Sequence, residues 1–137
     1  MGAWYSIGVY AGLGVALGIA AAGVFGGRRY ALMAPFLAAV VGIVLVPFAD
    51  VPQAAAIAVG GVLGSLGALE LVRGALRRGG TRLGTALFVL LGAVVVAALA
   101  FVPVLGYVEA VALPALGMRL RRRGDQRYAG LRTLAKD

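Results

Sequence analysis

The sequence contains neither cysteine nor histidine, and acidic residues are scarce. Its 137 residues include five Asp or Glu against thirteen Lys or Arg. Without cysteine and histidine the chain has no disulfide, no zinc site built on those ligands, no thiolate nucleophile and no histidine base. With so few carboxylates, paired acid–base chemistry is also difficult. We therefore predict no enzyme activity, no catalytic residue, no metal site and no cofactor.

The sequence is also too poor in polar residues for a water-soluble domain. Hydrophobic residues make up 62% of the chain and charged residues 13%, and the mean hydropathy is +0.99. A soluble domain of this length needs far more polar side chains to cover its surface. The composition therefore predicts an all-α integral membrane protein whose surroundings are a lipid bilayer.

Apolar runs divide the chain into four to five predicted transmembrane helices. About 20 apolar residues are needed to cross about 30 Å of hydrocarbon. The predicted spans cover approximately residues 3–27, 30–47, 53–73, 83–102 and a short 104–118. They form one helical bundle, residues 1–118, which is followed by a basic tail, residues 119–137.

The distribution of arginine favours five spans over four. Cytoplasmic loops carry an excess of Lys and Arg. Arg28 and Arg29 mark the first connection, and Arg73, Arg77, Arg78 and Arg82 mark the third, whereas the second carries only Asp50. A fifth span places the basic tail on the cytoplasmic side as well. Abundant arginine, alanine and glycine are typical of a GC-rich bacterium. We expect a bacterial cytoplasmic membrane, with the N-terminus outside and the C-terminus cytoplasmic.

A weak internal repeat accompanies this layout. Gly12, Gly18 and Arg28–Arg29 recur 49 residues later, and Gln53–Ala54 matches Glu109–Ala110 at an offset of 56. A duplicated pair of spans runs parallel to the first pair. The pattern predicts tandem parallel helical hairpins with a short last helix, and chance similarity in a low-complexity sequence is the alternative.

Glycines spaced for close helix contact are abundant. Small residues four apart allow helix backbones to approach in lipid, where no hydrophobic force drives helices together. The packing can lie within one chain or between subunits. The predicted packing glycines are Gly8, Gly12, Gly14, Gly18, Gly60, Gly64, Gly67 and Gly74.

Three acidic residues are candidates for intramembrane polar sites: Glu109, Glu70 and Asp50. A carboxylate within a span costs about 3 kcal/mol on insertion scales, so it often has a function. Counting back from Arg119 places Glu109 about 15 Å deep, whereas the repeat equates it with Gln53 at an outer helix end. A helix cap is its structural alternative. Glu70 fits an ion pair with Arg73, and Asp50 fits a turn.

The basic tail has two interpretations. It is either an amphipathic helix on the anionic inner leaflet or a solvated flank of the last span. Both explain the net charge of +8 without a nucleic acid partner. The predicted contacts with lipid headgroups are Arg119, Arg121, Arg122, Arg123 and Arg127.

Two functions fit these features. The first is a homo-oligomeric channel, carrier or lipid-moving transporter, since so few helices enclose a pathway only as an assembly. The second is a non-catalytic accessory or scaffold subunit of a larger membrane complex. The scarcity of polar residues within the spans favours the second, and Glu109 and the glycine faces favour the first.

Overall fold

The chain folds into a bundle of helices. The computed structural model describes residues 2–26, 31–102 and 104–134, and for residues 46 and 124–134 it describes the backbone alone. A short 3-10 turn, Val46–Phe48, separates the second helix from the third. The predicted all-α class is confirmed. The five described helices are α1 (Ala3–Phe25), α2 (Met33–Val44), α3 (Val51–Arg77), α4 (Arg82–Leu99) and α5 (Leu105–Leu134).

Three of these helices, α1, α3 and α4, are long and apolar enough to cross a membrane. This number is lower than the five spans predicted from the sequence. α2 has 12 residues and rises about 18 Å, because the chain already turns at Leu45 and Val46 before Pro47. The start of the predicted second span, Tyr30, lies outside the described residues.

The predicted boundary between bundle and tail, at residues 118 and 119, falls within a helix. α5 continues without interruption from Leu105 to Leu134, so the last predicted span and most of the tail form one helix. Neither proline nor glycine occurs from Met118 to Arg123, and arginine is a strong helix former. A change from apolar to basic side chains alters the preferred solvent but does not end the helix.

α1 and α3 run parallel and touch through their backbones. A Cβ atom added to Gly60 would collide with the carbonyl oxygen of Ala11, and one on Gly64 would collide with that of Val15. Moving four residues along α3 therefore moves the contact four residues along α1. The repeat predicts this parallel arrangement, although the duplication itself stays a prediction.

The other helices complete an alternating arrangement. Where α2 and α3 touch, Gly61 faces Ala38 and Gly42 faces Ala58. α2 therefore runs antiparallel to α3. α4 runs antiparallel to α1, because Gly23 meets Val89 while Gly12 meets Ala100. α5 runs in the direction of α1, with its first turn against Gly8. Consecutive helices thus cross the bundle in opposite directions.

Seven of the eight predicted packing glycines are tightly packed, and Gly74 is the exception. Only the Arg78 side chain, at 3.7 Å, would come near a Cβ on Gly74. Its seven-residue spacing from Gly67 places it near the end of α3, beyond the described contacts with α1. A Cβ atom added to any of the other seven would lie within 3 Å of an atom outside its own helix: Gly8, Gly12, Gly14, Gly18, Gly60, Gly64 and Gly67.

Small residues fill the centre and large apolar ones cover the outside. Val15 and Ala22 of α1 are fully buried, together with Ser65 of α3. By contrast, Ala93 is the one buried residue of α4. Leucine, valine and phenylalanine side chains are exposed along α2, α4 and α5. A surface this apolar requires a covering other than water.

Candidate functional site

Glu109 lies inside the bundle, at about half the height of α1. A Cβ on Gly12 would be 3.1 Å from its Oε2 atom, and Gly12 is near the middle of the 23-residue α1. This height is relative to the helices of the bundle, and the depth of Glu109 in a membrane stays a prediction. The helix-cap alternative is wrong, because the first turn of α5 contains no acidic residue.

The Glu109 carboxylate of α5 lies against α1 at Gly12. The position of a Cβ on Gly12 would also be 2.6 Å from the Ala100 Cβ and 3.0 Å from the Gly106 Cα. Ala100 itself is fully buried. Both carboxylate oxygens are buried, and neither has a hydrogen-bond partner among the described residues. The missing side chain of Gly12 provides the space that the carboxylate uses.

Two tyrosines bridge the helix ends above Glu109. The Tyr107 hydroxyl donates a hydrogen bond to the Trp4 carbonyl at 2.6 Å, and the Tyr5 hydroxyl donates to the Phe101 carbonyl at 3.2 Å. The α4–α5 connection is therefore tied to the first turn of α1. It is set back into the bundle, since α5 begins level with Gly8 rather than with Ala3.

A second polar group lies between the starts of α1 and α3. The Gln53 amide nitrogen donates to the Ser6 hydroxyl at 3.3 Å, and that hydroxyl donates to the Ala3 carbonyl at 2.8 Å. The Gln53 Oε1 atom is buried and lacks a hydrogen-bond partner among the described residues. Ser6 is about two helical turns from Gly12, so this pair stands between Glu109 and the N-terminal end of the bundle.

Glu70 and Asp50 do not join this group. Glu70 is paired with Arg73 at 3.1 Å across one turn of α3, and both side chains are partly exposed. Asp50 is exposed at the start of α3 and makes no capping hydrogen bond with its side chain. The three candidate carboxylates are thus at separate places, and the described residues contain no cluster of acids suited to a metal ion.

The predicted headgroup arginines lie along the later part of α5. Arg119, Arg121, Arg122 and Arg123 are all exposed. Arg127 is within the helix, but its side chain lies outside the described residues. The structure therefore gives one continuous helix with a basic segment, which continues from the bundle.

Sequence reasoning did not select Ser6 and Gln53 as a pair. The repeat had already aligned Gln53 with Glu109, and both side chains have buried oxygen atoms without partners. The alignment of Gln53 with the acidic Glu109 was the sequence signal that could have selected Gln53. It was missed because a glutamine next to a proline resembles an ordinary turn residue.

The arrangement suits reversible binding of a proton or a small cation. A carboxylate without a neighbouring positive charge or hydrogen-bond donor gains most from a cation that neutralises it. Comparison with known proteins adds no functional information: no family model, curated protein or solved structure matches the chain.

Proposed function

We propose that the chain is an integral membrane protein of five spans that assembles into homo-oligomers and moves a proton or small cation across the bilayer. Glu109 is the binding carboxylate. The observation that carries this proposal is the burial of both Glu109 oxygens, without a protein partner, at half the height of α1. Polar groups at such a depth typically mark ion pathways and proton relays.

The membrane setting is supported by the apolar outer surface and by three helices of sufficient length. α2 and the apolar part of α5 are shorter and complete the layout by packing against the long helices. The arginine segments at the ends of α3 and α5 lie on one side, because α3 and α5 both run parallel to α1. This arrangement agrees with an external N-terminus and a cytoplasmic C-terminus.

The tight packing of the chain's own helices supports the proposed homo-oligomer. The backbones of α1 and α3 touch at Gly14, Gly18, Gly60 and Gly64, so no water-filled path runs between these two helices. An ion that reaches Glu109 therefore takes another route, and the boundary between copies of the chain offers one. A symmetric assembly provides such a path without opening the glycine contacts.

The orientation can be tested because the chain has no cysteine of its own. Single variants Asp50→Cys, Arg78→Cys and Arg122→Cys place unique thiols at exposed positions. A membrane-impermeant maleimide should label Asp50→Cys in intact cells, and the other two only after permeabilisation. Labelling of Arg122→Cys in intact cells would favour four spans and contradict the five-span layout.

The transport function is tested by proton and cation flux in reconstituted vesicles. A gradient imposed across vesicles containing the wild-type protein should dissipate faster than in protein-free vesicles. Glu109→Gln keeps the size of the side chain but removes its charge, so its flux should fall to the background leak. Glu70→Gln is the matched control and should keep wild-type flux. Equal flux for Glu109→Gln and wild type would reject Glu109 as the binding group.

The second candidate is an accessory subunit of a larger membrane complex, and the exposure of α4 favours it. Along Arg82–Leu99 only Ala93 is buried, and Phe88 and Leu91 are largely exposed, so the outer face of the helix is available for contact with another protein. Mild extraction followed by mass determination distinguishes the two. A homo-oligomer supports the transport proposal, whereas recovery with a different polypeptide supports the accessory role.

A further inference from the structure

A groove lies at the opposite end of the bundle from the tyrosine bridges. It is formed by the end of α1, the end of α3 and the first two turns of α4, and its volume is about 400 Å³. The groove is open to the outside on one side. Most of its walls are aliphatic, including Val24, Val72, Leu76, Leu83, Leu87 and Leu90.

The groove exists because α4 is held to α1 over only part of its length. Contacts of Gly23 with Val89, and of Gly12 with Ala100, fix the middle and end of α4. The preceding turns pack less closely, and Leu83 and Leu87 are largely exposed. The wall facing them comes from Val72 and Leu76 of α3. The result is an apolar slot that opens between two helices toward the surroundings of the bundle.

A positive charge borders this slot. Arg82, at the start of α4, is exposed and lines the groove. Among the residues that the structure describes, no acidic side chain lines it. Glu70 is paired with Arg73, while Glu109 lies at about half the height of α1 and Asp50 lies toward the other end of the bundle. An aliphatic slot with a single guanidinium at its border matches a molecule with a long apolar chain and an anionic group at one end.

We propose that this groove binds an anionic phospholipid from the leaflet on the arginine-rich side. One acyl chain occupies the aliphatic slot, and the phosphate contacts Arg82. Arginine binds phosphate through two parallel hydrogen bonds, and each basic residue near a membrane surface favours anionic lipid by about fivefold in affinity. The inference rests on the proposed location in a bilayer, but it does not depend on ion movement by Glu109.

The test counts lipids retained by the purified protein. The protein is stripped of lipid in detergent, incubated with phosphatidylglycerol and phosphatidylcholine of identical acyl chains, and analysed by native mass spectrometry. We expect preferential retention of one phosphatidylglycerol per chain. Arg82→Gln should reduce this retention about fivefold. Arg78→Gln, which removes an exposed arginine outside the groove, should change it much less.

A second pair of variants tests the slot itself. Leu90→Trp should fill the groove and abolish retention, whereas Leu91→Trp, which alters the exposed neighbouring position, should leave it unchanged. If Leu90→Trp does not fold, as judged by thermal unfolding, the comparison of Arg82→Gln with Arg78→Gln decides alone. Equal retention of both lipids, or equal effects of Arg82→Gln and Arg78→Gln, would overturn the proposal. Neither result bears on the flux through Glu109.

Discussion

Gly12 of α1 and Glu109 of α5 share one space in the middle of the bundle. A methyl group on Gly12 would lie 3.1 Å from the Oε2 atom of Glu109 and 2.6 Å from the Ala100 Cβ. The burial of the carboxylate therefore depends on the absence of a side chain on the facing helix. The lack of a side chain at Gly12 therefore allows both the close helix contact and the burial of the Glu109 carboxylate.

Gly12→Ala should destabilise the protein by about 1–3 kcal/mol, the usual cost of overpacking a tight interior. The added methyl group must displace Ala100 or the α5 backbone at Gly106. Thermal unfolding in detergent measures the effect. Gly92→Ala is the matched control, because no described atom lies within 4 Å of its Cβ position, and it should be neutral or slightly stabilising. Equal behaviour of the two variants would contradict the close contact between α1 and α5.

Gly18→Ala should weaken the contact between α1 and α3. Its Cβ would collide with the Gly61 carbonyl and would lie 2.7 Å from the Ser65 amide nitrogen. Since backbone atoms cannot move aside as a side chain can, we expect a loss at or above the upper end of about 1–3 kcal/mol. Gly74→Ala is the control and should be tolerated, because its Cβ would approach only the Arg78 side chain, at 3.7 Å. An unfolding midpoint for Gly18→Ala equal to that of the wild type would reject the parallel helix contact.

Tyr107→Phe should lower the unfolding free energy by about 1 kcal/mol, the usual net value of one hydrogen bond. The variant removes the hydroxyl that donates to the Trp4 carbonyl but keeps the ring that packs on Gly8. Tyr10→Phe, for whose hydroxyl the described structure shows no hydrogen bond, is the control. Hydrogen exchange at the first turn of α1 should increase in the Tyr107 variant alone.

Glu70→Gln should change stability by less than about 1 kcal/mol. The ion pair with Arg73 is short, at 3.1 Å, but both side chains are partly exposed, and such pairs within one helix contribute little. Equilibrium unfolding at low and high salt measures the difference. A loss of several kcal/mol would indicate that Glu70 is embedded in the bundle, which would also disqualify it as the control for Glu109.

Much of the helical arrangement follows from the sequence, because glycine spacing and charge-free runs report directly on packing and length. The runs at 3–27, 53–73 and 83–102 correspond to α1, α3 and α4. Two features did not follow. The short length of α2 depends on where the chain turns before Pro47. Hydropathy averaged over a window of residues does not detect that turn. α5 continues past Met118 because arginine is a strong helix former although it is not apolar.

The candidate site was only partly accessible to sequence reasoning. Glu109 is conspicuous as a lone carboxylate in an apolar run, but its depth depends on where α5 begins relative to α1. That depth is set by the recessed α4–α5 connection and by Gly106, which packs against the Gly8 backbone. The groove at Arg82 could not be predicted, since it results from residues of three helices that are distant in sequence.

Carbodiimide labelling of Glu109 in lipid vesicles tests the central claim most directly. A carboxyl group adds across a carbodiimide, its proton passes to a nitrogen, and rearrangement gives a stable N-acylurea that mass spectrometry locates on the chain. A lipid-soluble carbodiimide should modify Glu109 in preference to Glu70 and Asp50, a water-soluble one should not reach it, and Glu109→Gln should abolish the modification. Modification of Glu109 by the water-soluble reagent, as readily as Asp50, would contradict a carboxylate buried within a membrane bundle.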